Sequence, residues 1–451
     1  MSLLHESAGL QAASVAESDS TGETHPSQRA RLYRLLWRWH FYAGILTAPV
    51  LMVAAVTGAL YVFIDELKPI FYPELMLSES LSEASPRSLD DLMAGLLREY
   101  PQAKVLSVAE PPEPGQNVEF AIRLPEGETT IQTTAMVDPI SGRVAGLYNQ
   151  HDSFFGIVLH LHRRLFLGPI GRLLVELTAS WGIVLLITGC YLWWPRGKGK
   201  AEALGFGVWR PRLRGPFRIV LRDWHAVVGF YGLTTAAFIL TTGLFFTQLF
   251  GPGFNWIVKQ TATTPSAPKS EAAAGRKQIA LAAAVQAAEP QLPGYGPVRI
   301  TLPTSSDGAI QVARSDSSQP HWKSPAFVDA YSGRFLALQG WSTAAPIQKV
   351  RMSIYPIHVG SIFGLTTKVL ALLTCLALLL LAMTGVWMWW RRRPRGTWGL
   401  PPSDATTHVP VWLMGIIMLL AVVLPALGGS LLLIMLGEFV WFRVIRRPQT
   451  A

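Results

Sequence analysis

The sequence has few cysteines and few charged residues, and several common enzyme motifs do not occur in it. Only two of its 451 residues are cysteine, Cys190 and Cys375, and both fall within apolar runs, so no disulfide framework is expected. The Cys-x-x-Cys-His motif for covalent haem attachment is missing. A Walker phosphate loop, a glycine-rich dinucleotide fingerprint and His-Glu-x-x-His are missing too. The chain therefore carries no sequence signature of a nicotinamide, nucleotide or zinc-peptidase site.

Long apolar runs, in contrast, are abundant. Hydrophobic residues make up 50% of the chain, and the mean hydropathy is +0.30. Several runs approach the roughly 20 residues needed to cross a bilayer. We predict spans within residues 30–63, 151–195, 223–250 and 351–392. The last tract, 409–445, is too long for one ordinary span and contains Pro425 and Gly428, so we expect a hairpin of two short spans there.

The basic residues lie beside these predicted spans. The net charge is +10, and Arg and Lys cluster before the first span, between the second and third, after the fourth, and at the end of the chain. Under the positive-inside rule these clusters face the cytoplasm. We therefore expect a disordered cytoplasmic tail at 1–29, cytoplasmic loops at 196–222 and 393–408, and external segments at 64–150 and 251–350. The charge indicates membrane topology rather than nucleic-acid binding.

The two external segments repeat one pattern. Each predicts a helix, at 87–100 and at 276–289, followed by short alternating segments typical of strands. Each also ends in an Asp-x-x-Ser-Gly turn, at 138–142 and at 329–333. We predict one small α+β domain in each half of the chain.

Four histidines occupy matching positions in the two halves. His40 and His225 each open an apolar run that reaches a Thr-Gly pair five helical turns later, on the same helical face. His162 and His358 precede the other two runs, which end in Thr-Gly and a Trp pair. The predicted topology places His40 with His225 near the cytoplasmic face and His162 with His358 near the outer face. Paired histidines suggest axial ligands of two b-type haems, one in each leaflet; histidines tolerated structurally at the membrane interface are the alternative.

Residues beside His162 leave further alternatives open. His160 lies two residues earlier on a different helical face, has no histidine counterpart in the second half, and is an alternative ligand. Arg163, Arg164 and Arg172 would suit the haem propionates, because arginine binds carboxylates through two parallel hydrogen bonds. They would equally suit lipid headgroups as anchoring side chains.

The combination of these features resembles the PepSY-associated transmembrane family over roughly residues 31–395. The resemblance is carried by the Trp-His to Thr-Gly spans, the outer domains ending in Asp-x-x-Ser-Gly, and the Leu-His-Arg-Arg-Leu segment before Thr-Gly-x-x-x-Trp-Trp. It implies a polytopic α-helical protein of the bacterial inner membrane with internal duplication. Span, periplasmic PepSY-like α+β domain and span would occur twice, followed here by the C-terminal hairpin. It also implies a link to iron, since one branch is similar to dihaem reductases of ferric siderophores.

We therefore expect an oxidoreductase that reduces a ferric siderophore from Fe(III) to Fe(II) on the periplasmic side through two b-type haems. A membrane quinol or a cytoplasmic reductase would supply the electrons, because the chain has no nicotinamide or flavin signature. One alternative is a haem-free membrane scaffold or regulator that binds a periplasmic partner through its PepSY-like domains. Another is a transporter of siderophore or iron, since repeated halves are common in transporters; Glu176 is the clearest acidic residue within a span.

Overall fold

The computed structural model describes residues 28–79, 85–127, 129–195, 204–263, 265–271, 277–316, 318–401 and 409–441. Most of the predicted tail at 1–29 lies outside the described residues, as do parts of both predicted cytoplasmic loops. The helices are α1 (Gln28–Val62), α2 (Ile64–Phe71), α3 (Pro73–Met76), α4 (Leu89–Glu99), α5 (Phe154–Arg164), α6 (Gly168–Trp193), α7 (Phe217–Tyr231), α8 (Leu233–Leu244), α9 (Phe250–Thr261), α10 (Leu281–Ala288), α11 (Pro346–His358), α12 (Leu365–Arg392), α13 (Val411–Val423) and α14 (Pro425–Val440).

Three of the described helices, α1, α6 and α12, are long and apolar enough to cross a membrane. The predicted third span is not one straight helix: α7 and α8 are bent by 66° at Gly232, and together they would make a fourth span. The predicted second and fourth spans each contain two helices. His162 lies on α5 and His358 on α11, each separated by a turn from the long helix that follows. The expectation that these histidines begin the long helices is therefore wrong.

The apolar tract near the C-terminus forms α13 and α14, which meet at Leu424. A Cβ atom on Gly428 would collide with the carbonyl oxygen of Ala421. Residues seven positions apart in a straight helix are separated by about 10 Å along the axis. The chain therefore turns sharply at Leu424, between α13 and α14, and Pro425 is the first residue of α14.

The two segments that were predicted to be external form a single sheet rather than two separate domains, which corrects the sequence prediction. Its strands are β1 (Lys104–Ala109), β2 (Val118–Glu126), β3 (Thr129–Val137), β4 (Val144–Tyr148), β5 (Val298–Thr301), β6 (Ile310–Arg314), β7 (Ala326–Val328) and β8 (Phe335–Leu338). The strand order is β4-β3-β2-β1-β5-β6-β7-β8. The two halves join through antiparallel pairing of β1 with β5, where Val108 lies opposite Ile300.

Helices α4 and α10 cover one face of this sheet and share one core with it. Leu96, Phe120 and Ile300 are fully buried there, and burial of each such side chain contributes about 2 kcal/mol. The helices are also joined across the halves, because the Asp90 carboxylate on α4 accepts hydrogen bonds from the backbone N–H groups of Leu281 and Ala282 at the start of α10. The sheet and its two covering helices therefore form one packed unit that spans both halves of the chain.

The sheet is connected directly to the helices that carry two of the histidines. Tyr148, at the end of β4, donates a hydrogen bond to the Ser153 hydroxyl, and that hydroxyl accepts the N–H of Gly156 as the N-cap of α5. In the second half, α11 begins at Pro346, shortly after β8. We call the end of the bundle nearest the sheet the sheet end, and the end where α1 begins the basic end.

Candidate functional site

The four predicted histidines form two pairs in the structure. The basic-end pair is His40 on α1 with His225 on α7, and their ring centroids are 6.3 Å apart. The sheet-end pair is His162 on α5 with His358 on α11, and their ring centroids are also 6.3 Å apart. Each pair takes one histidine from each half of the chain, so both pairs lie where the halves meet.

Each histidine is held through its Nδ1 atom by a threonine from another helix of the same half. The four contacts have nearly the same length: His40 to Thr188 at 2.9 Å, His162 to Thr57 at 3.0 Å, His225 to Thr384 at 2.8 Å and His358 to Thr242 at 3.2 Å. These threonines belong to the four Thr-Gly pairs noted in the sequence. Each half therefore orients both of its own histidines and contributes one to each pair.

The direction of these hydrogen bonds follows from the threonine hydroxyls. Each has one proton and donates it to the carbonyl of the residue four positions earlier in its own helix; Thr188, for example, donates to Val184 at 2.8 Å. The threonine oxygen must then accept the Nδ1–H of the histidine. At the sheet-end pair the peptide carbonyls of Ala54 and Ile239, which can only accept, also contact Nδ1 at 3.1 Å. Nδ1 therefore carries the proton, and Nε2 keeps a free lone pair.

The glycines of the Thr-Gly pairs leave room for the imidazole rings. An added Cβ atom would lie 3.2 Å from Cε1 of His40 at Gly189, and 3.2 Å from Cε1 of His162 at Gly58. Helical spacing predicted that Gly58 lies on the helical face of His40, and Gly243 on that of His225. In the structure, Gly58 contacts His162 and Gly243 contacts His358, each on a different helix. The signal was present in the sequence, because four histidines are matched by four Thr-Gly pairs, but the partner could not be assigned.

The separation of the rings in each pair fits two imidazoles that would ligate one metal. A metal–imidazole bond is about 2.1 Å and the ring nitrogen lies roughly 1.1 Å from the ring centre, so the two ring centres should be roughly 6.4 Å apart. Both pairs match this distance closely. Metal-ligating histidines also usually donate their second ring N–H to a fixed acceptor, as all four do here. Two protein ligands suit haem iron, whose macrocycle supplies the other positions, whereas a structural zinc site needs about four.

Comparison with protein-family models gives one match, to the PepSY-associated TM region, over residues 37–392. The chain belongs to this family. The matched range contains all four paired histidines, all four Thr-Gly pairs and the complete sheet. A search of curated proteins gave no match.

At the basic end, this family member has a cavity of about 830 Å³ lined by both histidines of the pair and by several glycines. That volume lies within the roughly 300–1,000 Å³ usual for small-molecule and cofactor sites. Arg29, Arg34, Arg222 and Arg392 also line it, so part of the cavity wall is basic.

Part of the predicted cytoplasmic loop at 196–222 lies against one side of this cavity, where Gly207 and Val208 line it. The Trp193 indole donates to the carbonyl of Val208 at 2.9 Å, and its ring stacks on Phe230 at 3.8 Å. The fully buried Asp223 carboxylate accepts from the guanidinium groups of Arg212 and Arg222. Asp223 thereby fixes the segment two residues before His225.

At the sheet end, the three arginines considered for propionate binding lie in different environments. Arg172 donates to the carbonyls of Phe246 and Thr247 just beyond the C-terminus of α8, which is a structural contact. Arg164 is the last residue of α5. Arg163 follows His162 directly. The buried Nε atoms of Arg163 and Arg172 both have no hydrogen-bond partner within the described part of the protein, so this feature does not single out one arginine for a bound anionic group.

His160, the alternative ligand, has different neighbours. Its ring stacks on Phe166 at 6.3 Å and meets His151 edge-on at 6.1 Å. The ring that faces His358 is that of His162. The structure therefore favours His162 over His160 as the partner of His358.

Proposed function

We propose that this protein is an inner-membrane dihaem b-type electron-transfer protein that reduces a ferric siderophore on the periplasmic side. The observation that carries the proposal is the set of four histidines in two pairs, each with Nδ1–H donated to a threonine and Nε2 left to bind a metal. Bis-histidine haem supplies one-electron transfer and has no open iron position for a substrate. The sheet would lie in the periplasm, and the basic clusters beside the spans would face the cytoplasm.

The position of the two pairs along α1 supports transfer across the membrane. His40 lies on α1, and Thr57, seventeen residues later on the same helix, holds His162. Seventeen residues of α-helix correspond to roughly 26 Å, close to the thickness of the hydrocarbon core. The histidines thus provide one candidate haem site at each end of the bundle. The threonines hold and orient the histidines that would ligate the haems. A quinol or a cytoplasmic reductase would supply the electrons.

Reduction would release iron because siderophore oxygen donors hold the harder Fe(III) more tightly than Fe(II). One electron passes to each Fe(III), and the siderophore is returned without chemical change. Since the haem iron has no open position, the chelate would dock beside the sheet-end pair rather than on the metal. We assign this docking to Arg351, which is exposed on α11 seven residues, or about two helical turns, before His358.

Transport has less support, because the buried acidic residue within the bundle already has a structural role. Glu176 is fully buried, and its carboxylate accepts the backbone N–H groups of Leu249 and Phe250 at 2.7 and 3.1 Å. It therefore caps the start of α9. A carboxylate engaged in this way does not serve as an ion-binding group along a transport path.

Two measurements on purified protein test the proposal. Haem extraction and an optical spectrum should give about two non-covalent haems per chain with a low-spin b-type signature. Chemically reduced protein should then be reoxidised quickly by an Fe(III)-siderophore and slowly by the metal-free siderophore. Arg351→Ala should slow the first reaction at unchanged haem content. A folded protein that stays colourless after expression with ample haem would contradict the proposal, and equal rates with both siderophore forms would reduce it to a generic electron carrier.

A further inference from the structure

The histidines differ in how many hydrogen-bond acceptors their Nδ1–H groups have besides the threonine hydroxyl. His162 divides its Nδ1–H between Thr57 at 3.0 Å and the carbonyl of Ala54 at 3.1 Å. His358 likewise has Thr242 and the carbonyl of Ile239 as acceptors. His40, in contrast, has one Nδ1 partner among the described residues, the hydroxyl of Thr188. Removal of a threonine hydroxyl therefore leaves the sheet-end histidines with an acceptor and leaves His40 with none.

We propose that these threonines are positioning residues of the haem ligands, and that Thr188 is the one on which its site depends most. The inference rests on the proposed function. A fixed acceptor at Nδ1 selects the tautomer that presents Nε2, fixes the angle of the ring, and increases the basicity of the ligand. An imidazole without that acceptor can rotate and can place its proton on Nε2, where it no longer binds a metal.

Thr188→Val keeps the shape of the side chain and removes the hydroxyl. Loss of a comparable outer-shell partner typically weakens metal affinity about 10- to 100-fold. We therefore expect Thr188→Val to lose the basic-end haem under dilution, so that the haem-to-protein ratio falls from about two towards one. Thr57→Val should keep both haems, because Ala54 still accepts the His162 proton. A less basic ligand stabilises Fe(III) less, so any haem that remains at the basic end should show a raised midpoint potential.

Two further variants separate positioning from general damage. Thr188→Ser restores a hydroxyl at the same place and should restore both the haem ratio and the potential. Thr374→Val serves as the matched control, because Thr374 is a buried threonine of α12 that also donates to the carbonyl four residues earlier, at 2.8 Å, and has no hydrogen bond to a histidine among the described residues. It should match the unmodified protein in haem ratio and in both midpoint potentials.

The measurement is haem quantification together with a redox titration of purified, detergent-solubilised full-length protein, with folding followed by circular dichroism. A Thr188→Val protein with two haems and unshifted potentials would overturn the inference while leaving the proposed function intact. Haem loss in Thr188→Ser equal to that in Thr188→Val, or in Thr57→Val equal to that in Thr188→Val, would overturn it as well. If the unmodified protein contains no haem, the proposed function fails first, so the two failures are distinguishable.

Discussion

Replacement by alanine of Gly243 and of Gly385, the glycines of the two Thr-Gly pairs in the second half of the chain, should have different effects. A Cβ atom at Gly243 would lie 3.1 Å from Cε1 of His358, whereas a Cβ at Gly385 would lie 3.7 Å from Cε1 of His225. Ordinary van der Waals contact begins at 3.4 Å, so His358 would have to move by at least 0.3 Å and His225 would not have to move. Metal–ligand distances tolerate about 0.2 Å. Gly243→Ala should therefore weaken the sheet-end site, and Gly385→Ala should leave the basic-end site unchanged.

The surroundings of His358 make this displacement difficult to absorb. Its Nδ1 is held by Thr242 and by the carbonyl of Ile239, and the ring of Phe246 lies 5.4 Å away. We expect haem affinity at the sheet end to fall about tenfold in Gly243→Ala, the lower end of the effects seen for outer-shell changes. Alanine is favoured over glycine within a helix by about 1 kcal/mol, so neither variant should lose stability through helix propensity.

The assay is the rate at which haem passes from each variant to an excess of a soluble haem-binding protein, followed optically. Faster loss of one of two haems in Gly243→Ala, with Gly385→Ala indistinguishable from the unmodified protein, is the expected result. Equal haem loss in the two variants, or a greater loss in Gly385→Ala, would refute the assignment of these glycines to the imidazole rings.

Three further predictions concern ligand identity and the sheet. Alanine in place of either histidine of the basic-end pair should remove one haem, and in place of either histidine of the sheet-end pair the other, whereas His160→Ala should keep both; haem quantification decides this. Burial opposes ionisation of Asp329, but hydrogen bonds from the backbone N–H groups of Ser332, Glu271 and Tyr331 outweigh it and lower its pKa to about 2. Its stabilising contribution is therefore present above its unfolded pKa of about 3.9 and is lost as the pH falls through 2. Asp329→Asn should flatten the acid part of the stability curve measured by circular dichroism; an unchanged curve would contradict this. Asp90→Ala should lower the free energy of unfolding of the sheet by about 1 kcal/mol in denaturant titrations, because α10 loses its cap, while no change would mean that the cap is dispensable.

Much of the local structure could be predicted from sequence periodicity. Alternation predicts strands at 104–109 and 129–137, which are the limits of β1 and β3 in the structure, and the apolar runs correspond to helices α1, α6 and α12. The merging of the two α+β segments into one sheet could not be predicted, because pairing of Val108 with Ile300 depends on which strand edges meet in space. The alternation of apolar and polar residues in β1 and β5 does not specify which strand each of them pairs with.

The turn that separates His162 from the long helix was also invisible in the sequence. Leu165 and Phe166 adopt φ values of 50° and 56°, in the left-handed region. Glycine, asparagine and aspartate favour this region, and bulky apolar residues are uncommon there. The run from α5 into α6 therefore looks continuous when only hydropathy is considered. As a result, the predicted helix of His162 was wrong: the histidine lies on α5 and not on the long helix α6.

The placement of both histidine pairs between the two halves has a consequence for how the sites form. Each half contributes one imidazole to each pair and orients it with its own threonine, so neither half contains a complete site. The β1–β5 junction joins the halves at the sheet, and α1 with α12 joins them within the bundle, where Ala55 and Leu378 share a buried cluster. Packing of the halves thus sets the 6.3 Å ring separation through the protein itself. Ligands held in place before binding lose little further freedom when a cofactor enters, so more of the binding energy is retained as affinity.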